Sequence, residues 1–198
     1  MVNTEDTMDT LIIRLRERIR RSPAIECEAF GGRCNEAGEI LGPTPPNPPV
    51  SMQTLEEVEQ ELGFRLPTFV RRLYTEVADG NYGPNWGIYP LRQPPDIDWK
   101  QEPLSVQGWY RQDRQERAID RPPDYWSYVP EPSIRFCEIG CGIQICVDCT
   151  TDQGRVFMDD GTASQEWKDC IIPIADSVAE WLAQWLDDKP WPENTYPR

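Results

Sequence analysis

The chain has 198 residues, a length typical of one domain or of one domain with an added arm. It carries 34 acidic and 20 basic side chains, and its net charge of −14 repels nucleic acid and anionic lipid surfaces. It has no histidine, which excludes Ser–His–Asp and Cys–His catalysis and HExxH zinc sites. An enzyme of this composition would depend on carboxylates, Lys, Tyr or an unassisted Cys.

The N-terminus and the cysteines predict a cytoplasmic protein. The first ten residues carry acids, whereas a secretory signal begins with Lys or Arg. No apolar run approaches the ~18 residues that span a bilayer. Seven cysteines cannot all pair within one chain, and reduced thiols are typical of the cytosol. We therefore expect no membrane partner.

The first part of the chain predicts a short helix followed by a Pro-rich linker. Residues 10–21 (TLIIRLRERIRR) place four apolar side chains on one helix face, which are Leu11, Ile12, Leu15 and Ile19. A basic amphipathic helix can bind a membrane surface, but the acidic remainder of the chain favours a helix docked on its own domain. Pro23 ends this helix, and the run PTPPNPP predicts an extended segment.

An αα-hairpin is predicted next. The first helix begins at a capping box of Thr54 and Glu57, and Gly63 ends it in a left-handed conformation. The second helix runs from Pro67 to Gly80. A strand at 86–91 and a polar helix at 104–119 follow.

The C-terminal half predicts an antiparallel meander covered by a helix. Three short runs rich in β-branched residues alternate with Gly-containing turns, and they are 134–139, 143–149 and 155–158. Ser177 and Glu180 form a second capping box. The apolar stripe behind it predicts a helix that covers the sheet and ends at Pro190.

In this order the segments resemble the SUKH superfamily, the Smi–Knr group of fungal cell-wall regulators and bacterial immunity proteins. Its helical E-x-x-LG-x-x-LP stretch is matched by Glu59, Leu62, Gly63, Leu66 and Pro67. Its Gly-rich strand pair is matched by Gly140, Gly142 and Asp148. The resemblance covers roughly residues 50–190; the N-terminal arm and the long Pro-rich middle stretch depart from it.

The resemblance implies an α+β fold in which a mostly antiparallel sheet of about 4–6 strands packs against helices. We therefore divide the chain into an N-terminal helix and linker (1–49), a SUKH-like domain (50–191) and a tail (192–198). The resemblance implies no catalysis and no cofactor. In bacterial members it implies an immunity protein that binds and blocks a toxin, often a nuclease.

Two constellations are candidates for chemistry. Cys137, Cys141, Cys146 and Cys149 have a zinc-like spacing, but Cys146 and Cys149 fall on opposite faces of one strand, so small buried hydrophobes are favoured over a metal site. Carboxylate pairs could serve a glycosidase or Mg²⁺; they are Asp96 with Asp98, Asp159 with Asp160, and Asp187 with Asp188. The side chains of adjacent residues on a strand point to opposite faces, so solvated acids are favoured over a catalytic or metal-binding pair.

Aromatic side chains flanked by acids are typical of protein interfaces, where aromatics anchor the contact and charge speeds the encounter. The predicted partner-binding residues are Tyr82, Trp86, Asp96, Asp98, Trp99, Asp159 and Asp160. Packing within the fold is the alternative for the aromatic residues, above all for Trp86 and Tyr89.

The sequence thus predicts a non-catalytic protein-binding module, with three functions left open. The first is an immunity protein that occludes a basic toxin, plausibly a nuclease. The second is a regulatory or scaffold protein of the Smi–Knr type that acts on envelope synthesis or signalling. The third is a carboxylate-dependent enzyme.

Overall fold

The computed structural model describes residues 4–21, 45–84, 87–93, 104–118, 129–140, 142–164 and 169–189. The helices are α1 (Thr4–Arg21), α2 (Met52–Leu62), α3 (Thr68–Arg72), α4 (Val106–Ala118) and α5 (Val178–Leu186). The strands are β1 (Ser133–Gly140), β2 (Ile143–Asp148), β3 (Arg155–Asp159) and β4 (Ile171–Ala175). Helix α3 continues into a π-helical turn, Leu73–Val77, called the π-turn below. The predicted α+β class is confirmed.

The four strands form one antiparallel sheet in the order β1-β2-β3-β4. The meander of β1, β2 and β3 was predicted, whereas β4 was not. Its sequence IIPIA has Pro173 at the centre, and proline cannot donate to a sheet ladder. The fold tolerates it because β4 is paired with β3 alone among the described strands.

The main core lies on one face of this sheet. Ile145 pairs with Met158 and Val147 with Val156, and all four side chains are buried there. Residues of α2, α3, the π-turn and α5 complete the same core. The Trp181 ring of α5 lies 6.1 Å from the ring of Phe136 on β1. The prediction that the last helix covers the sheet is confirmed.

Helix ends follow local hydrogen-bonding groups, with one correction. Helix α5 begins as predicted, because the Glu180 amide donates to the Ser177 hydroxyl. Helix α2 is capped by Ser51, three residues before the predicted Thr54, and the Ser51 hydroxyl accepts from the Thr54 amide at 3.1 Å. Gly63 ends α2 with φ +80°, as predicted.

Helix α1 docks on the domain, as the sequence favoured. Leu11, Ile12 and Leu15 are buried, and α1 contacts the π-turn and α5. It begins at Thr4, six residues before the predicted start. The division of the chain at residue 49 stays a prediction, since most of the linker (22–44) and the tail lie outside the described residues.

Two further expectations have mixed outcomes. The predicted polar helix is confirmed as α4. Of the strand predicted at 86–91, the described part forms a single bridge between Ile88 and Cys137, at the outer edge of β1.

Among the described helices, none combines the length and the hydropathy needed to cross a membrane.

Candidate functional site

The loop that precedes most of the predicted contact residues is firmly anchored at its base. We call residues 78–84 and 87–93 the anchored loop. The Asp79 carboxylate accepts from the Leu91 amide at 2.6 Å, which ties the two ends of the loop together. The Asp79 amide donates to the Asn47 carbonyl, and the Asn47 side chain donates to the Asp79 carbonyl. The loop is therefore also joined to the segment that leads into α2.

The anchored loop is also fastened to the sheet. The Asn81 amide donates to the Ile88 carbonyl, and the Ile88 amide donates to the Tyr82 carbonyl. The Tyr89 amide donates to the Phe136 carbonyl on β1 at 2.8 Å. Residues on either side of Trp86 thus have fixed positions at the edge of the sheet.

The described members of the predicted partner-binding set are buried. Tyr82 is 4% exposed, and Asp159 and Asp160 are each 2% exposed. Trp86, Asp96, Asp98 and Trp99 lie outside the described residues.

The expectation that Asp159 and Asp160 are solvated acids is wrong. Asp159 is neutralised by Arg135 of β1, with 2.9 Å between the guanidinium Nη1 and Oδ2. Asp160 closes the turn after β3, because its Oδ1 accepts from the amide and the hydroxyl of Thr162. Both carboxylates therefore have structural roles. The position of these residues at the end of a predicted strand did not indicate those roles.

Arg135 is the centre of a buried ion-pair cluster that the sequence did not predict. Its Nη2 lies 3.1 Å from Oδ1 of Asp113, on α4, and its side chain is only 10% exposed. The Trp109 ring lies over the guanidinium, 5.1 Å from the ring centre. Burial by itself lowers the pKa of Arg135, but the carboxylates of Asp113 and Asp159 outweigh it and raise that pKa.

A second polar group adjoins this cluster. The Tyr89 hydroxyl contacts Glu138 Oε2 and Gln144 Oε1, both at 3.1 Å. The Tyr89 ring lies 6.2 Å from the ring of Trp109. Burial, followed by the Glu138 charge, raises the pKa of Tyr89, so the phenol stays protonated.

The ion pairs of this cluster are suited to stabilising the fold and not to acid–base catalysis. A general acid needs a carboxyl group that holds a proton near neutral pH and reaches a substrate. The Asp113 and Asp159 carboxylates are both paired with the permanently charged guanidinium of Arg135, and Asp159 is enclosed. The cluster therefore joins α4, β1 and β3.

The described cysteines do not converge. Cys137 lies in the main core, whereas Cys146 lies on the opposite face of the sheet beside Val129 and Phe157. Burial raises the pKa of Cys146 and of Cys149, which makes both thiols poor nucleophiles. Within the described ranges, no group of three or more His, Cys, Asp or Glu residues could hold a metal ion. Cys141 lies outside them, and the expectation of no metal stays a prediction.

The anchored loop contains one carboxyl group whose titration should affect stability. Burial raises the pKa of Asp79 above its ordinary value of 3.8, and the bond from the Leu91 amide offsets part of that rise. A folded-state pKa above the unfolded value means that the charged form costs stability at neutral pH, and that this cost disappears as the pH falls through the folded-state pKa. We therefore expect Asp79→Asn, which keeps an acceptor for Leu91, to raise the free energy of unfolding at pH 7.

Urea denaturation from pH 3 to pH 8 measures this effect. The gain in the Asp79→Asn variant should shrink as the pH falls and vanish near the unfolded pKa. Asp176→Asn, a substitution of an exposed acid, is the control and should change stability little at any pH. A gain for Asp79→Asn that is the same at pH 3 and pH 7 would contradict burial of the charge as its cause.

Comparison of the chain with known protein families finds one matching family. The model of the SMI1 / KNR4 family (SUKH-1) matches residues 49–184. The match includes α2, α3, α4, most of α5, all four strands and the anchored loop, and it leaves α1 outside. No curated protein matches the chain. Because the match spans more than half of the chain and confirms the resemblance that its motifs indicated, the chain belongs to the SMI1 / KNR4 family (SUKH-1).

Proposed function

We propose that this protein is a non-catalytic binding module that neutralises a basic protein toxin, as an immunity protein does. A nuclease is the class of toxin that fits best, because its substrate-binding surface must be basic to hold phosphates. An acidic protein that covers this surface would exclude the nucleic acid.

The observation that carries the proposal is the distribution of charge. Of the net −14, residues 73–198 hold −11 and residues 1–72 hold −3. A field of this size speeds the encounter with a basic partner and repels acidic ones. The excess of acids lies in the part of the chain that includes the anchored loop and the sheet.

The ionisable groups beneath the surface support binding over catalysis. Among the described residues, the partly buried carboxylate of Asp113 and the buried carboxylate of Asp159 face Arg135, and the Glu59 carboxylate contacts Arg71 between α2 and α3. These ion pairs hold secondary-structure elements together. The absence of histidine from the sequence limits acid–base chemistry further.

In sequence, Trp86 falls between the two parts of the anchored loop, and Asp96, Asp98 and Trp99 follow the loop. A rigid base reduces the entropy lost when such residues bind a partner. We propose that these four residues contact the toxin, with the two tryptophans as anchors and the two acids as the charged rim.

Binding can be tested with the full chain as bait. The candidate toxin is the product of the reading frame beside this gene, and co-expression of the chain should restore the growth of cells that produce it. In solution, the complex should weaken steeply between 0.1 M and 1 M salt, because the Debye length falls from about 10 Å to about 3 Å. Asp96→Asn/Asp98→Asn should weaken binding roughly two- to tenfold, mainly through slower association.

The matched control is Glu56→Gln/Asp169→Asn, which removes the same charge from two exposed positions elsewhere. It should leave binding close to that of the wild type. Binding that is unchanged at 1 M salt, or an equal loss in both double variants, would contradict an electrostatic interface at the predicted residues. Recovery of a host signalling or envelope-synthesis protein, without growth rescue, would instead identify the regulatory function.

A further inference from the structure

Helix α1 lies on a surface that falls partly within the family match. The π-turn and the first seven residues of α5 lie within the matched residues 49–184, whereas α1, the end of α5, Asp187 and Asp188 lie outside the match. Leu11, Ile12 and Leu15 are 5%, 1% and 0% exposed. Removal of α1 would therefore uncover an apolar surface on the domain itself. We call this surface, together with its acidic rim, the α1 seat.

The rim of the α1 seat is acidic and complements the helix that occupies it. Arg14 Nη2 lies 2.6 Å from Asp187 Oδ1, and Arg18 Nη2 lies 3.4 Å from Asp188 Oδ1. The Arg16 Nε donates to the Glu76 carbonyl at 2.7 Å. Charged and polar groups of the domain therefore meet arginines along the length of the helix.

Helix α1 is strongly basic, in contrast to the acidic rim of the α1 seat. Five of the 20 basic residues of the chain fall within residues 14–21. The Arg18 guanidinium lies 5.5 Å from the centre of the Trp185 ring. The seat thus recognises a basic helix with apolar side chains on one face, in a protein that is otherwise strongly acidic.

The polar part of the attachment of α1 is weak, whereas its three apolar side chains join the main core. Its polar contacts to α5 lie at the surface, where the side chains of Arg14 and Asp187 are 41% and 39% exposed, and such ion pairs contribute little to stability. A long connection that includes residues 22–44 separates α1 from the start of the matched domain. A tethered helix competes with other ligands at an effective concentration that is set by the length of its connection.

We propose that the α1 seat is an interaction surface for a basic amphipathic helix of a partner protein, and that α1 occupies it as an intramolecular competitor. The partner helix presents two or three apolar side chains on one face and arginines one turn apart beside them. Its arginines replace Arg14 and Arg18 against Asp187 and Asp188. This proposal does not depend on the nature of a toxin, because the seat is defined by the helix it already holds.

The probe is a fluorescein-labelled synthetic peptide of residues 4–21, titrated with the full chain and followed by fluorescence anisotropy. In the variant Arg14→Glu/Arg18→Glu, the tethered helix is repelled while the seat is intact. This variant should bind the peptide at least about tenfold more tightly than the wild type does, because the tethered competitor is weakened. A scrambled peptide of the same composition should not bind.

A charge reversal keeps the test decisive if one variant folds poorly. The variant Asp187→Lys/Asp188→Lys should no longer bind the wild-type peptide, and it should bind a peptide that carries Glu at positions 14 and 18. Circular dichroism checks that both variants are folded, and size-exclusion chromatography checks that they are monomers. Equal peptide affinity of the wild type and Arg14→Glu/Arg18→Glu, binding of the scrambled peptide, or dimerisation through exchanged helices would each overturn the proposal.

Discussion

Replacement of Arg135 with methionine is expected to destabilise the fold by about 3–5 kcal/mol, because removal of one partner from a buried ion pair leaves an uncompensated charge. Here two carboxylates lose their cation at once. The Asp159 residue is 2% exposed and the Asp113 side chain on α4 is 14% exposed, so neither can recover full hydration. The Trp109 ring also loses its contact with the guanidinium.

Urea denaturation at pH 7, followed by tryptophan fluorescence, measures the loss. Arg155→Met is the matched control, because Arg155 lies on β3, the strand that carries Asp159, and is exposed. Its stability should stay within about 0.5 kcal/mol of the wild type. A loss below about 1 kcal/mol for Arg135→Met would mean that water reaches the cluster and screens the two acids.

A triple variant separates charge from packing. Arg135→Met combined with Asp113→Leu and Asp159→Leu removes the cation and both carboxylates. Replacement of an entire buried ion pair by apolar side chains is often neutral or stabilising. Most of the stability lost in the single variant should therefore return, and its failure to return would show that α4 needs these polar contacts for its position.

The extent to which the fold could be predicted depends on the range of the interactions. Helix α5 was predicted from Ser177 and Glu180 because a cap acts over three residues. The meander was predicted from short strand-forming runs separated by Gly-containing turns, which are local signals as well. Strand β4 was missed because Pro173 argues against a strand unless the position at the sheet edge is known.

The site was less predictable because its parts are distant in sequence. Arg135 alternates with Ile134 and Phe136, a pattern that places an arginine on the solvated face of a strand. In the fold, α4 covers that face and supplies Asp113 from 22 residues earlier. No local pattern indicates which helix covers which face, so the burial of Asp159 was also missed.

The second large effect is expected at Gly80, where the sequence predicted only a helix end. Its φ is +73°, in the left-handed region that favours glycine. A Cβ at this position would lie 2.6 Å from the Tyr89 carbonyl carbon and 2.8 Å from the Ile88 carbonyl oxygen, and it would also meet the Pro90 nitrogen. These are backbone atoms, which cannot rotate away as a side chain does.

We expect Gly80→Ala to destabilise the protein by about 2–5 kcal/mol, the sum of about 1–2 kcal/mol for the left-handed conformation and about 1–3 kcal/mol for overpacking. Gly63→Ala is the matched control, because Gly63 has φ +80° and a Cβ added there would meet no atom within 4 Å. The control should lose only the conformational part. Urea denaturation of both variants measures the difference, and equal losses would contradict the steric contribution.

Hydrogen exchange tests whether the additional loss of stability in Gly80→Ala, compared with Gly63→Ala, arises in the anchored loop. The close approach at Gly80 is what allows the Asn81 amide to reach the Ile88 carbonyl and the Asp79 carboxylate to reach the Leu91 amide. In Gly80→Ala, both amides should therefore lose protection by more than the change in global stability predicts. Gly63→Ala should leave their protection relative to the core unchanged. Under the proposed function, a selective loss of protection in Gly80→Ala would also weaken binding to the toxin before the domain unfolds.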